Sequence, residues 1–275
     1  MIIRTLLLIS AAFFYLIGYS QDNYDLETIY TSLEKAKDNP EDVSILHIQR
    51  AAEIINPNDL MIFKNLIGLE ISAKIDLDTF PGVLRDLQKL QWISIINNDI
   101  KAVTSDISAF KDIESLDLSN NQISELPDLQ NVSSSITYIR LENNNLKEIP
   151  EGIDKLENLI RLTFANNQIS TIPNDIVDLK LLDSFSIANN QINQLPDSIG
   201  RLSNSLKFFS VYGNSFKPEY WQWIKKQLPD TKVYVHEKDG CVMSYHDLGI
   251  YFQGDSTEMK VYLDDKHKKF GGDEK

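Results

Sequence analysis

Aliphatic residues recur at one phase of the chain. Counted from the first aliphatic of each unit, the starts are Val43, Leu66, Leu90, Ile113, Ile136, Leu159, Leu182 and Leu206, with steps of 23, 24, 23, 23, 23, 23 and 24 residues. In the fourth unit the phase is marked by Ile113, Leu116, Leu118, Asn121 and Ile123; in the sixth, by Leu159, Leu162, Phe164, Asn167 and Ile169. The alternation Leu116-x-Leu118 predicts a short strand with one buried face. The asparagine ends that strand, because a carboxamide both donates to and accepts from the backbone of a turn. Stacked in register, Asn98, Asn121, Asn144, Asn167, Asn190 and Asn214 are expected to form an internal ladder that satisfies backbone groups at each bend. One such unit cannot bury its apolar residues alone, so the units must stack around a continuous core.

The second half of each unit carries an aliphatic-proline pair: Leu126-Pro127, Ile149-Pro150, Ile172-Pro173 and Leu195-Pro196. Pro57 and Pro81 fill the same slot in the first two units, and Thr104 replaces it in the third. Proline cannot donate to a strand ladder, which assigns the slot to the return path and not to the sheet. Aliphatics follow at spacings of three, as in Ile153 and Leu156 or Ile176 and Leu179, which suits a 3₁₀ or short helical turn.

The ends depart from the repeat. Leu26, Ile29, Tyr30, Leu33 and Ala36 fall at helical spacing and predict a cap helix in residues 21–40, ended by Asn39-Pro40. The repeat then occupies 41–235. It closes with a helix over Pro218 to Leu228, with Trp221, Ile224 and Leu228 on one face, and a last strand over Lys232 to Val235. Residues 236–275 form a short extension with strand candidates at Cys241–Tyr245, Leu248–Phe252 and Met259–Leu263. Its charged end, Asp264 to Lys275, has the composition of a disordered tail.

Residues 1–20 read as a secretory signal. Arg4 is followed by an apolar core from Thr5 to Ile17, too short to span a bilayer comfortably, and then by Gly18-Tyr19-Ser20. Cleavage after Ser20 leaves Gln21 first, moves the net charge from −13 to −14 and leaves no stable membrane span. The alternative is an uncleaved anchor. The expected location is secreted, periplasmic or elsewhere in the cell envelope. An acidic chain without a basic stripe does not suit a phosphate backbone, so no nucleic acid is expected as a partner. The single cysteine, Cys241, allows neither an intramolecular disulfide nor a Cys/His zinc cluster.

The units L-D-L-S-N-N-Q-I-S-E-L-P and I-R-L-E-N-N-N-L-K-E-I-P resemble the leucine-rich repeat, in the subclass carrying an Ile/Leu-Pro pair. The resemblance runs from Pro40 to Val235, and the S-L-E-K-A-K-D-N-P-E-D-V stretch before it looks like the N-terminal cap of bacterial members. It implies an α/β fold: a curved solenoid with a parallel sheet on its concave side and 3₁₀ or short helical segments on its convex side. A helical cap is expected at one end and a helix–strand cap at the other. Ala51 and Lys74 stand where the pattern has asparagine, so irregular turns are expected there. Extracellular animal members carry cysteine-paired caps, which this chain lacks. That favours a bacterial secreted or envelope protein, for which the Asn131-Val-Ser133 sequon is without consequence.

Specificity in such an array falls to the variable letters beside the inward aliphatics. Among them Trp92, Tyr138, Phe208 and Tyr212 are aromatics on strand positions expected to be solvated, and aromatics and arginine are enriched at binding hot spots. Arg140 and Arg161 lie on adjacent strands, near enough to meet one acidic group together or to pair internally with Asp117 and Glu142. Ser184, Ser186 and Ala188 leave a shallow space between the aromatic sides. The candidate ligand-binding residues are therefore Trp92, Tyr138, Arg140, Arg161, Phe208 and Tyr212. His47, His236, His246 and His267 have no triad partner at a suggestive spacing, and neither a P-loop nor a Gly-rich dinucleotide turn is present. The expectation is a non-catalytic module without cofactor or metal that binds a protein or peptide, or a glycan, on the concave face. The alternative is a structural, self-associating envelope protein.

Overall fold

The computed structural model describes residues 29–235 apart from 50–55, 76 and 218, and the backbone of 250–253 and 260–263. Ten strands form one sheet in chain order: β1 (Ile29–Tyr30), β2 (Ile45–Ile48), β3 (Gly68–Ile71), β4 (Trp92–Ile95), β5 (Ser115–Asp117), β6 (Tyr138–Arg140), β7 (Arg161–Thr163), β8 (Ser184–Ser186), β9 (Phe208–Ser210) and β10 (Lys232–Tyr234). All neighbours pair in parallel. Parallel pairing in chain order requires every unit to return by the same path, which a fixed period provides. The inward apolar residues stack in register: Ile93 meets Leu116, then Ile139, Leu162, Phe185 and Phe209. The Phe185 and Phe209 rings lie nearly parallel, 5.4 Å between centroids.

The asparagine ladder is present throughout. Asn144 Nδ2 donates to the carbonyls of Leu118 at 3.0 Å and Leu141 at 3.1 Å, while its Oδ1 accepts from Ile123 N–H at 2.9 Å. Asn98, Asn121, Asn167, Asn190 and Asn214 repeat this pattern. Beside it runs a second asparagine column, which the sequence reading did not single out. Asn97, Asn120, Asn143, Asn166 and Asn189 all adopt positive φ, and Gly213 takes the place in the next turn. Asparagine tolerates the left-handed region better than other side-chain-bearing residues. Gly213 is required twice over: its φ is 67°, and a Cβ would lie 1.9 Å from Asn189 Oδ1. Ala73, one unit before Asn97, is not left-handed, so the turn near Lys74 departs from the pattern as expected; Ala51 lies outside the described residues.

The return path is 3₁₀, at Pro57–Ile62, Gly82–Asp86, Ser105–Ala109, Ile153–Lys155, Asn174–Asp178 and Asp197–Leu202. Pro81, Pro173 and Pro196 stand immediately before three of these, and Pro57 opens another. Just ahead of the proline slot, isolated parallel bridges join Thr79 to Ala102 and Ala102 to Glu125, so the approach to the slot shares some ladder character.

The N-terminal end differs from the expected single helix. The helix α1 is Leu33–Asp38, and Ile29–Tyr30 is a strand on the edge of β2. At the other end, α2 spans Tyr220–Gln227, and Tyr220 Oη accepts from Leu195 N–H at 2.9 Å. Separately, β11 (Ile250–Gln253) and β12 (Lys260–Leu263) pair antiparallel. The proposed signal, Cys241, three of the histidines and the charged tail lie outside the described residues.

Candidate functional site

The sheet's second face, turned away from the aliphatic core, is the concave face of the solenoid. Register sets it out as columns. The central one is polar at every rung: His47, Glu70, Ser94, Asp117, Arg140, Thr163, Ser186, Ser210 and Tyr234. The column before it holds Gly68, Trp92, Ser115, Tyr138, Arg161, Ser184 and Phe208.

The first stretch is a His–Trp–Glu cluster in which His47 and Trp92 are buried and Glu70 half-buried. Trp92 is 0% exposed. Its indole lies across Gly68, where a Cβ would come within 2.0 Å of the ring. The His47 ring meets it edge-on at 5.7 Å. Glu70 lies 3.8 Å from His47 Nδ1 and accepts from Gln49 Nε2 at 3.4 Å. His47 Nε2 is buried without a hydrogen-bond partner. Burial pushes the His47 pKa below its ordinary 6.5, against the opposing pull of the Glu70 charge. A base whose folded pKa is depressed stabilises the fold above its unfolded pKa and loses that contribution as pH falls through the folded value. The thermal midpoint is therefore expected to hold above pH 6.5 and to drop by several degrees below it. His47→Gln should flatten that limb. Parallel melts of the two proteins from neutral to mildly acidic pH check this; identical profiles would refute it.

The middle stretch is an ion-pair network. Arg140 lies 2.9 Å from Glu142 and 3.6 Å from Asp117. Asp117 in turn accepts from Ser119 N–H at 2.9 Å and Ser119 Oγ at 2.6 Å. Burial opposes the Arg140 charge, but Tyr138, Asp117 and Glu142 outweigh it and hold its pKa above the ordinary value. Burial raises the Glu142 pKa, with Arg140 pulling the other way. Burial likewise pushes the Tyr138 hydroxyl up to about 12.

In the last stretch the central column is uncharged. Thr163, Ser186 and Ser210 lie side by side, and Ala165, Ala188 and Tyr212 form a small buried cluster on the strand continuations. Arg161 and Phe208 are half-buried, with Ser184 between them in register.

Of the six sequence-selected residues, all lie on the concave face, but they do not form one patch. Arg140 takes the internal pairing and not a shared site with Arg161, which registers with Tyr138 instead. Trp92, Tyr138 and Tyr212 are buried and not solvated. The outward positions Ser94, Asp117, Arg140, Thr163, Ser186 and Ser210 follow from the phase, whereas the His47–Glu70 cluster was missed. Reading the fifth letter of each unit down the stack, instead of three letters within a unit, would have found it. Among the described residues no group of three or more His, Cys, Asp or Glu could hold a metal ion.

A family model described as leucine rich repeat matches residues 134–208, and a second of the same description matches 112–131. The chain carries leucine-rich repeats. Solved structures agree on the fold. An internalin, InlF, from Listeria monocytogenes superposes with a TM-score of 0.56 at 20% identity, covering 71% of this chain. This chain spans 62% of the length of that protein. Internalin C2 from the same organism gives 0.54 at 25% identity, over 64% of this chain and 73% of that one. Comparison with curated proteins finds no match. Leucine-rich repeat arrays are protein-interaction modules and typically carry no catalysis. Among the described residues of this one, no helix is long and apolar enough to cross a membrane.

Proposed function

We propose that this protein is a non-catalytic recognition module that acts outside the cytoplasm and binds a protein or peptide on its concave face. The observation that carries the reading is the Arg161–Ser184–Phe208 register. It sets a half-buried guanidinium and a half-buried phenyl ring two strands apart, about 10 Å, across a small residue. Neither side chain belongs to the apolar core or the asparagine ladder, and both are residue types on which binding energy concentrates. The apolar Thr5–Ile17 stretch behind Arg4 supports export, and the likeness to internalins supports a bacterial secreted or surface protein.

The test is capture. The mature chain and an Arg161→Ala/Phe208→Ala variant are used as bait against envelope and host-surface extracts. A partner held by the wild type and lost by the variant supports the proposal. Equal retention by both, or a concentration-dependent oligomer with no other partner, would favour a self-associating structural role instead.

A further inference from the structure

Each ladder asparagine ties its own unit to the one before. Asn98, in the third unit, donates to the Ala73 carbonyl and accepts from Ile75 N–H in the second. Asn121, in the fourth, does the same to Ile95 and Ile100 in the third. The second unit has Lys74 in this slot, and its ammonium turns the other way, to Asp99 of the third unit at 3.0 Å. Among the described residues, therefore, no ladder amide ties the second unit to the first. That joint rests on the β2–β3 pairing and on the core beneath it. Repeat arrays open locally, and a terminal unit with the weakest interface opens first.

His47 and Glu70 face each other across the same joint, in register on β2 and β3. Once protonated, an imidazole has two N–H groups to place. Nδ1 would look towards Glu70, but Nε2 would be a buried, charged donor without an acceptor. Among the described residues Glu70 is the one charged group that faces this ring. On β1, Ile29 registers with Ile45 and Tyr30 with Leu46 of the inward column. On β4 the neighbours are Trp92 and Ser94. The helix α1 sends Leu33 and Ala36 into the core and leaves Glu34, Lys35, Lys37 and Asp38 exposed.

We infer that the joint between the first and second units is an acid-operated latch, at which protonation of His47 releases β1, α1 and the first unit from an otherwise intact array. In the closed joint burial holds the histidine pKa below 6.5; the open joint gives the ring water and restores it. Opening therefore takes up a proton. Its equilibrium constant rises as pH falls below 6.5 and levels off beneath the closed-state value. One proton limits the slope to about tenfold per pH unit.

Hydrogen exchange of the full chain, read by peptide mass spectrometry from neutral to about pH 5 and corrected for intrinsic exchange rates, tests the latch. Peptides from β1, α1 and β2 should lose protection in acid, by up to about tenfold per pH unit, while those from β5 to β9 keep theirs. His47→Gln should make the protection of β2 independent of pH over this range. Glu70→Gln keeps the histidine but removes the charge that eases its protonation in the closed joint. It should therefore open more than wild type at the acid end. Protection lost evenly along the array, acid opening that persists in His47→Gln, or a Glu70→Gln variant that opens less than wild type would each overturn the latch. If His47→Gln does not fold at neutral pH, the comparison of Glu70→Gln with wild type decides alone.

Discussion

Asn144→Ala is expected to lower stability by about 3–5 kcal/mol, and the thermal midpoint by roughly 10 °C. The side chain is buried, donates to two main carbonyl partners and accepts from Ile123 N–H. Truncation leaves the buried Ile123 N–H without a partner and takes from the Leu118 and Leu141 carbonyls one of their two amide donors, the other being Asn121 and Asn167 respectively. The site lies mid-array, so the loss also weakens coupling between the units on either side. Asn144→Asp is no rescue: it keeps an acceptor for Ile123 but turns a carboxylate oxygen towards the Leu118 and Leu141 carbonyls. Calorimetric or circular-dichroism melts measure the effect. A loss below about 1 kcal/mol would mean the ladder is ornamental, against the usual cost of an unsatisfied buried group.

Gly68→Ala is the second large effect. The added Cβ would meet Trp92 Cε2 and Cζ2 at 2.0 Å, and the ring is fully buried, so it must leave its place. Overpacking of this kind costs about 1–3 kcal/mol. The diagnostic is the cycle with Trp92→Ala. On that background the alanine at 68 should be nearly harmless, because the atom it strikes is gone. Tryptophan emission should shift red in the single variant as the indole becomes hydrated. An equal cost on both backgrounds would show that the backbone, and not the indole, resists the methyl group.

The parts of the fold that were legible in the sequence are those written at a fixed phase. The ladder from Asn98 to Asn214, the strand alternation and the proline slot each recur every unit, so their meaning is read once and confirmed by repetition. Ile29–Tyr30 was not legible. A two-residue strand has no periodicity of its own, and it forms because β2 offers an unpaired edge; its letters also fit a helix. The concave face was half legible. The positions of Trp92 and Arg140 followed from the phase, but their exposure depends on residues a unit or more away. Trp92 is buried because Gly68 leaves a space beside it, and Arg140 is engaged because Asp117 and Glu142 sit within reach. Buried, unpartnered hydroxyls leave no mark in a single unit; Ser186 and Ser210 look like ordinary solvated strand residues until the stack is assembled.

The central claim is that the concave side, at Arg161 and Phe208, is where a partner binds. Its most direct measurement is the affinity of the captured partner for three proteins: wild type, Arg161→Ala/Phe208→Ala, and a control with exposed substitutions away from this register, Lys147→Ala/Glu148→Ala. The account predicts a loss of about 100-fold for the concave variant, the scale of hot-spot truncation, and no change for the control. Full affinity in the concave variant with loss in the control would contradict it.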